Sequence, residues 1–226
     1  MPTKHALITG AGGNLARAVI QKFLDHGYTV SGTVSPGKKL DFSDAALTHY
    51  ALDLTQEHEV MKMIDKDYEK HNRLDAVLLL AGGFQMGSLE HTGADDLHRM
   101  MSINFETAFY TAKAALAKMK TQPGGGKIIL IGARPGLRMA DGKSSAAYAL
   151  SKSLIFRLAE LLNLEGKSHH VITSVLVPGT IDTPVNRAAM PDADFSQWVT
   201  PDTLADTMLL LCSDETQAWR EPVIRF

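Results

Sequence analysis

Short apolar runs alternate with longer stretches of helical periodicity along the whole chain. The runs are rich in leucine and β-branched residues, and several end on glycine or proline. Runs of this kind are typical of strands that are covered on both faces of a parallel sheet. The predicted strands are His5–Thr9, Thr29–Val34, 76–80, 127–131 and Val171–Val177, with 222–226 as a candidate for a last edge strand.

Apolar residues spaced three and four positions apart predict helices between these strands. Strict alternation of strand and helix predicts an α/β fold, a doubly wound parallel sheet with right-handed crossovers and helices on both faces. We expect residues 1–226 to form a single domain, because this length suffices for one buried core and 122–126, Gln-Pro-Gly-Gly-Gly, is interpreted as a turn rather than a linker. The predicted helices are 14–26, 57–72, 94–121, Ala146–Gly166 and 201–212.

Composition and charge exclude several kinds of partner. The chain has 23 basic and 25 acidic residues, a formal net charge of −2 and no basic block, so we expect neither nucleic acid nor a membrane surface as a partner. The nine histidines are scattered and show no metal-ligand spacing with cysteine, which predicts no metal site. The single cysteine, Cys212, allows no intrachain disulfide, and the N-terminal apolar run is too short for a signal sequence. These features indicate a cytoplasmic location.

A glycine-rich turn separates the first strand from the first helix. It reads Thr-Gly-Ala-Gly-Gly-Asn-Leu-Ala over residues 9–16. Glycines at such a turn let the backbone approach a pyrophosphate, and free N–H groups at the start of the helix face the anion. We interpret the turn as a dinucleotide-binding loop rather than a tight structural turn, because a strand precedes it and a helix follows. The residues expected to contact the cofactor are Gly10, Gly12, Gly13, Asn14 and Leu15.

The residues after the second strand favour NADP(H) as the cofactor, and NAD(H) is the alternative. Proteins that bind NAD usually carry an Asp or Glu at the end of this strand, where it holds the ribose hydroxyls. Here no acidic residue occurs before Asp41, and Lys38, Lys39 or Arg17 can pair with a 2′-phosphate. The alternative is that these three residues are ordinary solvated charges.

Two further segments lie where open α/β sheets bind ligands, beyond the carboxyl ends of strands. The small residues Ala81, Gly82 and Gly83 follow the strand 76–80 and leave room for a ligand. Asp53 can accept a hydrogen bond from an adenine amino group at the edge of the sheet. The alternative for Asp53, and equally for Thr55, is to cap the next helix.

Tyr148 and Lys152 are the candidate proton-transfer pair. They lie four residues apart on one predicted helix, which puts their side chains on one face, one turn apart. A tyrosine hydroxyl, with an ordinary pKa of about 10, is a poor acid or base at neutral pH. A nearby ammonium group lowers that pKa by stabilising the phenolate, and the pair can then pass a proton to or from a substrate oxygen or nitrogen.

The sequence Tyr-Ala-Leu-Ser-Lys over 148–152 resembles the YxxxK motif of the short-chain dehydrogenase/reductase family. Five other features match that family in the right order: the glycine-rich turn, Asp53, Ala81-Gly82, Asn104 and Pro-Gly-Thr-Ile-Asp-Thr over 178–183, which resembles the PGxxxT motif. The resemblance implies a Rossmann-like domain, a Tyr/Lys/Ser/Asn tetrad in which Asn104 orders a proton-relay water, and a homodimer or homotetramer. It also implies cofactor contacts by Asp53, Leu54, Ala81, Gly82, Gly83, Lys152, Pro178, Gly179, Ile181 and Thr183.

The chain departs from the family at the catalytic serine. The segment after the strand 127–131 reads Gly-Ala-Arg-Pro-Gly, and alignment on Gly136 brings Ala133 to the serine position. That serine donates a hydrogen bond to the substrate oxygen, and loss of one such donor typically costs about 10²–10³ in rate when an oxyanion must be stabilised. Either the substrate does not need the donor, or Ser144 or Ser145 replaces it, or the protein is a non-catalytic NADP(H)-binding sensor or scaffold.

Within the family, the quinoid dihydropteridine reductase branch also lacks the serine, and this chain resembles that branch most. The resemblance lies in 131–134, in Leu-Ala-Gly-Gly-Phe over 80–84 and in the segment 182–198. Asn104, the pair at 178–179 and the absence of an acid for NADH depart from the branch. A quinonoid dihydropterin is reduced at a conjugated C=N system, where charge need not collect on one oxygen. We therefore expect hydride transfer to a conjugated imine or carbonyl, with Tyr148 as the acid.

Two further expectations concern the surroundings of Tyr148 and the outer helices. Residues 182–200 are expected to form a lid or loop on the substrate side. The alanine-rich faces of helices 94–121 and Ala146–Gly166, with Ala112, Ala114, Ala115 and Ala117, are interpreted as a dimer surface, the alternative being packing onto the sheet. An apolar pocket, or else simple core packing, is expected from Phe84, Met86, Met139, Met190, Phe195 and Trp198.

Overall fold

Parallel strands form the centre of the fold in residues 3–226, the part of the chain that the computed structural model describes. In chain order they are β1 His5–Thr9, β2 Thr29–Val34, β3 Leu47–Ala51, β4 Ala76–Leu79, β5 Gly126–Ile131, β6 Val171–Val177 and β7 Val223–Arg225. Their order across the sheet is β3-β2-β1-β4-β5-β6-β7. This arrangement confirms the predicted doubly wound, Rossmann-like sheet.

Helices cover both faces of the sheet and bury two apolar clusters against it. Val60, Leu116 and Ile155 belong to the cluster on one face, and Ile20 and Met208 belong to the cluster on the other. Burial of these side chains on both faces explains why the strands read as continuous apolar runs. The helices are α1 Asn14–Asp25, α2 Glu57–His71, α3 Ala94–Met101, α4 Thr107–Met119, α5 Arg134–Leu137, α6 Ala146–Gly166, α7 Pro184–Ala189 and α8 Pro201–Leu211.

The strand predictions are confirmed, with shifts of one or two residues in β4, β5 and β7. One strand, β3, was not predicted. Its sequence Leu-Thr-His-Tyr-Ala contains two polar residues in succession and no continuous apolar run. It is an edge strand that pairs only with β2, and it is half-exposed, so its side chains needed no apolar pattern.

The helix predictions are confirmed within a residue for α1, α2, α6 and α8, but the prediction of one uninterrupted helix over 94–121 is wrong. Ser102–Glu106 forms one turn of π-helix between α3 and α4. Turns of this kind insert an extra residue into a helix and are frequent at functional sites. The short helices α5 and α7 were not predicted.

The order of the strands reverses between β1 and β4. The chain winds outward from β1 through β2 to β3, and then returns to β4 on the other side of β1. A crevice opens at such a switch point, beyond the carboxyl ends of the strands, and ligands of open α/β sheets bind there. The glycine-rich turn after β1 and Ala81-Gly82-Gly83 after β4 both lie at this crevice.

The amino edge of the sheet holds a buried polar cluster that the scattered histidines of the sequence did not suggest. His5, Asp67 and His71 bring their ligand-type atoms within 4.8 Å of one another. His5 Nε2 lies 2.8 Å from Asp67 Oδ2, and the His5 and His71 rings stack with their centroids 3.8 Å apart. Ser31 and Tyr50 also donate hydrogen bonds to the Asp67 carboxylate. Asp67 therefore ties α2 to three strands of the sheet.

Two observations bear on surface expectations. Across residues 3–226, no helix is both long enough and apolar enough to cross a membrane. Ala112 and Ala115 are fully buried against the sheet, so these two cannot belong to an outer dimer surface; Ala117 is exposed and Ala114 is half-buried. The alternative of sheet packing is correct for the two buried alanines.

Candidate active site at the carboxyl edge of the sheet

The glycine-rich turn after β1 lies directly against the segment after β4. Gly10 has a φ of +68°, and a Cβ at that position would lie 3.0 Å from Ala81 Cα. The turn is closed by a 2.9 Å hydrogen bond from Gly13 N to Gly10 O, and Ala81 N donates to Thr9 Oγ1 at 3.1 Å. Gly10 is required here because its backbone is left-handed and touches a neighbouring backbone.

The first turn of α1 is open to an anion. Its N-cap is Gly13, which supplies no side-chain acceptor, and within the described chain the first turn carries no acidic residue. Gly12, Gly13 and Asn14 are exposed, and Leu15 is half-buried. N–H groups at an uncapped helix start, together with the helix dipole, form a site for a negatively charged group. The geometry of the turn therefore fits the pyrophosphate of a dinucleotide.

The cations expected near an adenosine 2′-phosphate lie on the surface beyond β2. Arg17 Nη1 pairs with Asp41 Oδ2 at 2.9 Å, and its guanidinium lies 5.3 Å from the centre of the Phe42 ring. Lys38 and Lys39 are exposed. A groove of about 580 Å³ runs from Asn14 and Arg17 to Asp182 and Thr183. It joins the start of α1 to the segment after β6.

Asp53 and Leu54 follow β3 and precede α2. Asp53 Oδ1 accepts hydrogen bonds from Thr55 N at 2.9 Å and from Thr55 Oγ1 at 2.8 Å. These bonds hold the pKa of the Asp53 carboxyl below its ordinary value, so Asp53 is ionised at neutral pH. The N-cap of α2 is Gln56, which makes the helix-cap alternative for Asp53 and Thr55 wrong.

Asn104, Gly82 and Lys152 meet beneath the crevice. A Cβ on Gly82 would lie 2.6 Å from Asn104 Oδ1 and 3.6 Å from Lys152 Nζ, so only glycine fits there. Asn104 is buried in the π-helical turn, and its Oδ1 accepts a 2.9 Å hydrogen bond from Gly83 N. The structure thus brings together candidate residues from β4, the π-helical turn and α6.

Ser151 connects Asn104 to Tyr148, and sequence reasoning did not identify it. Asn104 Nδ2 donates to Ser151 Oγ at 3.2 Å, and Ser151 Oγ donates to the Tyr148 carbonyl at 2.8 Å. Ser151 is fully buried. A serine inside a helix next to a lysine gives no signal in the sequence, because its partner lies 47 residues away.

Burial moves the pKa values of Tyr148 and Lys152 in opposite directions. It raises the pKa of the Tyr148 hydroxyl to about 12 and lowers the pKa of the Lys152 ammonium to about 8. Lys152 Nζ donates to the Ile131 carbonyl at 2.9 Å. At neutral pH Tyr148 is therefore protonated while Lys152 still carries its charge. The expectation that Lys152 lowers the pKa of Tyr148 is wrong, because burial of the hydroxyl dominates and raises it.

Ala133 lies at the end of β5, buried and in extended backbone, as the N-cap of α5. Gly136 packs α5 against α6 so closely that a Cβ there would lie 2.6 Å from the Lys152 carbonyl carbon. Ser144 is exposed and Ser145 is buried at the start of α6. Within residues 3–226, neither hydroxyl is hydrogen-bonded to Tyr148.

The segment after β6 begins with Pro178 and Gly179 at the crevice. A Cβ on Gly179 would lie 2.9 Å from Arg134 Nη2, which donates to the Phe226 carbonyl at 2.7 Å. Ile181 forms a bridge with Val199, and Thr183 Oγ1 caps α7 by accepting from Asn186 N at 3.2 Å. The Thr183 hydroxyl is therefore already used as an acceptor inside its own segment.

The segment 182–200 is held by its own contacts. Arg187 pairs with Asp182 at 2.6 Å and lies 4.6 Å from the centre of the Phe195 ring. Phe195 packs on Trp198, with ring centroids 4.7 Å apart. Among the residues expected to wall a pocket, Phe84 contacts Tyr148 edge to face at 5.0 Å and is 61% exposed. Met86 and Met139 are also exposed.

Comparison with known proteins identifies the family. The sequence matches the family model for short chain dehydrogenase over residues 4–194. A short-chain dehydrogenase/reductase of Armillaria gallica is 32% identical over 189 residues, which cover 80% of this chain and 72% of the relative. The cyclic-di-GMP-binding biofilm dispersal mediator protein of Escherichia coli K12 is 29% identical over 196 residues, covering 85% and 79%.

The solved structures that resemble this one agree with that assignment at the level of the fold. ElxO with NADP bound gives a TM-score of 0.91 at 22% identity, with 99% of this chain and 96% of that chain covered. A short-chain oxidoreductase from Burkholderia thailandensis gives a TM-score of 0.87 at 24% identity, with 100% and 91% covered. The chain belongs to the short-chain dehydrogenase family of NAD(P)-dependent oxidoreductases.

Proposed function

We propose that this protein reduces a conjugated imine or carbonyl compound with NADPH, and that Tyr148 is the proton donor. The observation that carries the proposal is the position of a protonated, half-buried tyrosine one helical turn from a buried lysine, beside a glycine crevice that fits a dinucleotide. Bound NADPH supplies the hydride. Tyr148 supplies the proton to the substrate nitrogen or oxygen, which completes a two-electron reduction.

The neighbours of Tyr148 have separate roles in this proposal. The Lys152 ammonium stabilises the tyrosinate that remains after proton transfer, and it binds the nicotinamide ribose. Asn104 is held by Gly83 and Ser151 and orders the water through which the tyrosine regains its proton. The glycine turn and the open start of α1 hold the pyrophosphate, Asp53 binds the adenine, and Pro178, Gly179, Ile181 and Thr183 line the nicotinamide.

The choice of NADPH over NADH rests on charge at the end of β2. Lys38 and Lys39 follow β2 in sequence, and Arg17 forms an ion pair with Asp41 of the same segment. Arg17 would hold a 2′-phosphate in place of that exposed carboxylate, because a guanidinium can donate bidentate hydrogen bonds to phosphate.

The substrate class is inferred from two features of the site, the missing serine hydroxyl and the exposed aromatic ring beside Tyr148. Ala133 offers no donor to a developing oxyanion, so a substrate whose charge spreads over a conjugated system suits the site better than a simple ketone. The exposed ring of Phe84 lies edge to face with Tyr148 and offers an apolar surface to a planar substrate. A quinonoid dihydropterin combines both properties, and the segment 182–200 would cover it.

The test is the rate of NADPH and NADH oxidation with a quinonoid dihydropterin, for the wild type beside Tyr148→Phe. We expect turnover with NADPH to exceed that with NADH, and the variant to lose at least about 10²-fold in kcat with cofactor affinity retained. Tyr110→Phe, on α4, is the matched control and should keep full activity. Full activity in Tyr148→Phe would refute the assigned role.

A second candidate function is a non-catalytic NADP(H)-binding sensor. Ala133 at the serine position favours it, and a relative named for nucleotide binding rather than for a reaction makes it worth testing. Cofactor binding without turnover on a panel of carbonyl and pterin substrates would favour the sensor over the enzyme.

A further inference from the structure

A cavity of about 720 Å³ opens at the amino edge of the sheet, on the side of the molecule opposite Tyr148. Lys4 lies just before β1, Asp75 just before β4, Lys127 at the start of β5 and Val171 at the start of β6, and all four line it. In a parallel sheet the amino ends share one edge, so this cavity is separate from the crevice that holds the cofactor site. Its volume is in the range of small-molecule binding sites, about 300–1,000 Å³.

Lys127 is one of the cations that line this cavity. Its side chain is half-buried, and within the described residues its Nζ reaches only the carbonyl and the hydroxyl of Thr216, at 3.4 and 3.5 Å. No carboxylate between residues 3 and 226 forms an ion pair with it. Burial lowers the pKa of the Lys127 ammonium; Cys212 and Asp214 oppose this effect, whereas the charges of Arg220 and Lys4 add to it. A half-buried cation that has other cations nearby and no ion-pair partner is stabilised when an anion joins it.

The lining of the cavity carries more positive than negative charge. Arg73 pairs with Asp75 at 2.6 Å, and Lys4 pairs with Asp214 at 3.2 Å. This leaves Lys127, Lys167 and Arg220 against the single carboxylate of Glu221. The chain as a whole has a net charge of −2, so the excess of cations is a property of this cavity and not of the composition.

Arg220 and the glycine turn 123–126 complete the lining. Arg220 Nη1 donates to the carbonyls of Gln217 and Trp219, which are neutral acceptors. The turn brings main chain rather than side chains to the wall, and Gly125, with a φ of +65°, would place a Cβ only 2.3 Å from His169 O. At this turn the wall is mostly main chain, and Gly125 packs closely against the backbone of His169.

We propose that this cavity binds a phosphate-bearing small molecule, held chiefly by the charges of Lys127 and Arg220. A phosphate group carries a charge of about −1.5 to −2 at pH 7 and accepts several hydrogen bonds, which matches a set of lysine and arginine donors. The cavity is larger than a phosphate ion, so its lining has room for the organic part of a phosphate ester.

The experiment measures binding to protein that is already saturated with NADP⁺, so that the cofactor site cannot take up the probe. Inorganic phosphate and ribose 5-phosphate are titrated by calorimetry in a phosphate-free buffer at low salt. We expect saturable binding with one site per chain. Tighter binding of the ester supports a phosphate metabolite as the ligand, and equal binding supports free phosphate; absence of saturable binding of either probe overturns the proposal.

Lys127→Met and Lys62→Met are the matched variants. Methionine keeps much of the lysine stem and removes the charge, and Lys62 is an exposed lysine on α2 that does not line the cavity. Lys127→Met should weaken binding at least tenfold and Lys62→Met should leave it unchanged. Equal affinities in wild type and Lys127→Met would overturn the proposal. If Lys127→Met does not fold, Arg220→Gln gives a second test, because Arg220 is exposed. We expect this variant to bind the probes at least threefold more weakly.

Discussion

Lys152 is charged at neutral pH only because its pKa, lowered by burial to about 8, still lies above 7. Removal of the proton above that pH takes away the charge that stabilises the tyrosinate. In the direction of reduction, kcat/KM should therefore fall as the pH rises through about 8. The measurement is the pH profile of kcat/KM between 6 and 10, with Lys152→Met, which has no group to titrate, as the control. A flat profile in the wild type would contradict the role of Lys152.

The variant Ala133→Ser tests whether the missing hydroxyl donor affects the rate of substrate reduction. If charge spreads over a conjugated system, restoring the hydroxyl should change the rate with a quinonoid dihydropterin by less than about threefold. With a simple ketone, where the oxyanion needs a donor, the same change should raise kcat/KM by about 10-fold or more, toward the ~10²–10³ that one donor can supply. A large gain with the pterin would mean that its reduction also collects charge on one atom.

At the scale of single residues, the sequence identified candidate side chains where both their chemistry and their spacing along the chain are recognisable. Tyr148 and Lys152 are four positions apart on one helix, and the structure places both at the crevice. Ser151 could not be found, because its role depends on a contact with Asn104 across the fold. The cluster of His5, Asp67 and His71 was missed for the same reason: 62 residues separate the first two.

Elements were predictable where burial dictated an apolar pattern. β1 and β6 are buried at every position, whereas β3 alternates between half-buried and exposed side chains and was missed. The π-helical turn at Ser102–Glu106 could not be read from the sequence either. No glycine or proline marks it, and the helical apolar pattern continues through it.

The contact between α5 and α6 gives a prediction at this scale. Gly136→Ala would place a Cβ 2.6 Å from the Lys152 carbonyl carbon, so the two helices must separate. We expect the free energy of unfolding to fall by about 1–3 kcal/mol and NADP(H) affinity to fall with it. Denaturant titration and cofactor titration measure the two effects.

Gly12→Ala is the control for that pair of measurements. A Cβ on Gly12 meets no atom of residues 3–226 within 4 Å, so stability should be unchanged while cofactor affinity falls, because the methyl group occupies the approach of the pyrophosphate. Unchanged stability in Gly136→Ala as well would show that the helices tolerate the extra volume.

The stability of the whole molecule should depend on pH through His71. Burial lowers the pKa of His71, as does the neighbouring His5, and within the described residues its Nε2 has no hydrogen-bond partner. A lowered pKa means that the unfolded chain binds the proton more tightly, so stability is present above about pH 6.5 and is lost as pH falls through the folded pKa.

His71→Gln removes that titration. Between pH 7 and pH 5 the free energy of unfolding should fall less steeply in the variant than in the wild type, by at most about 1.4 kcal/mol per pH unit. His49→Gln, at an exposed position of β3, should keep the slope of the wild type. Parallel slopes in all three proteins would show that the pKa of His71 is the same in the folded and unfolded states.

Assembly is the second expectation for the whole molecule. Leu150, Leu161 and Leu164 are 44%, 57% and 70% exposed along α6, and burial against a second copy would remove this apolar surface from water. We expect a dimer or larger by light scattering, and a monomer for Leu161→Glu combined with Leu164→Glu. Met61→Glu, an exposed apolar residue on α2, should leave the assembly intact. A monomeric wild type would refute the expectation.

The uncapped start of α1 links the lifetime of the protein to the supply of its cofactor. A side-chain cap in place of Gly13 would add only roughly a few tenths of a kcal/mol, and without it the N–H groups stay available. A bound dinucleotide stabilises the folded protein by more, about 2.7 kcal/mol when its concentration is a hundred times its Kd. Degradation in cells follows the unfolded fraction. We therefore expect a cell that runs short of the dinucleotide to clear this protein sooner, so that its abundance follows the cofactor pool.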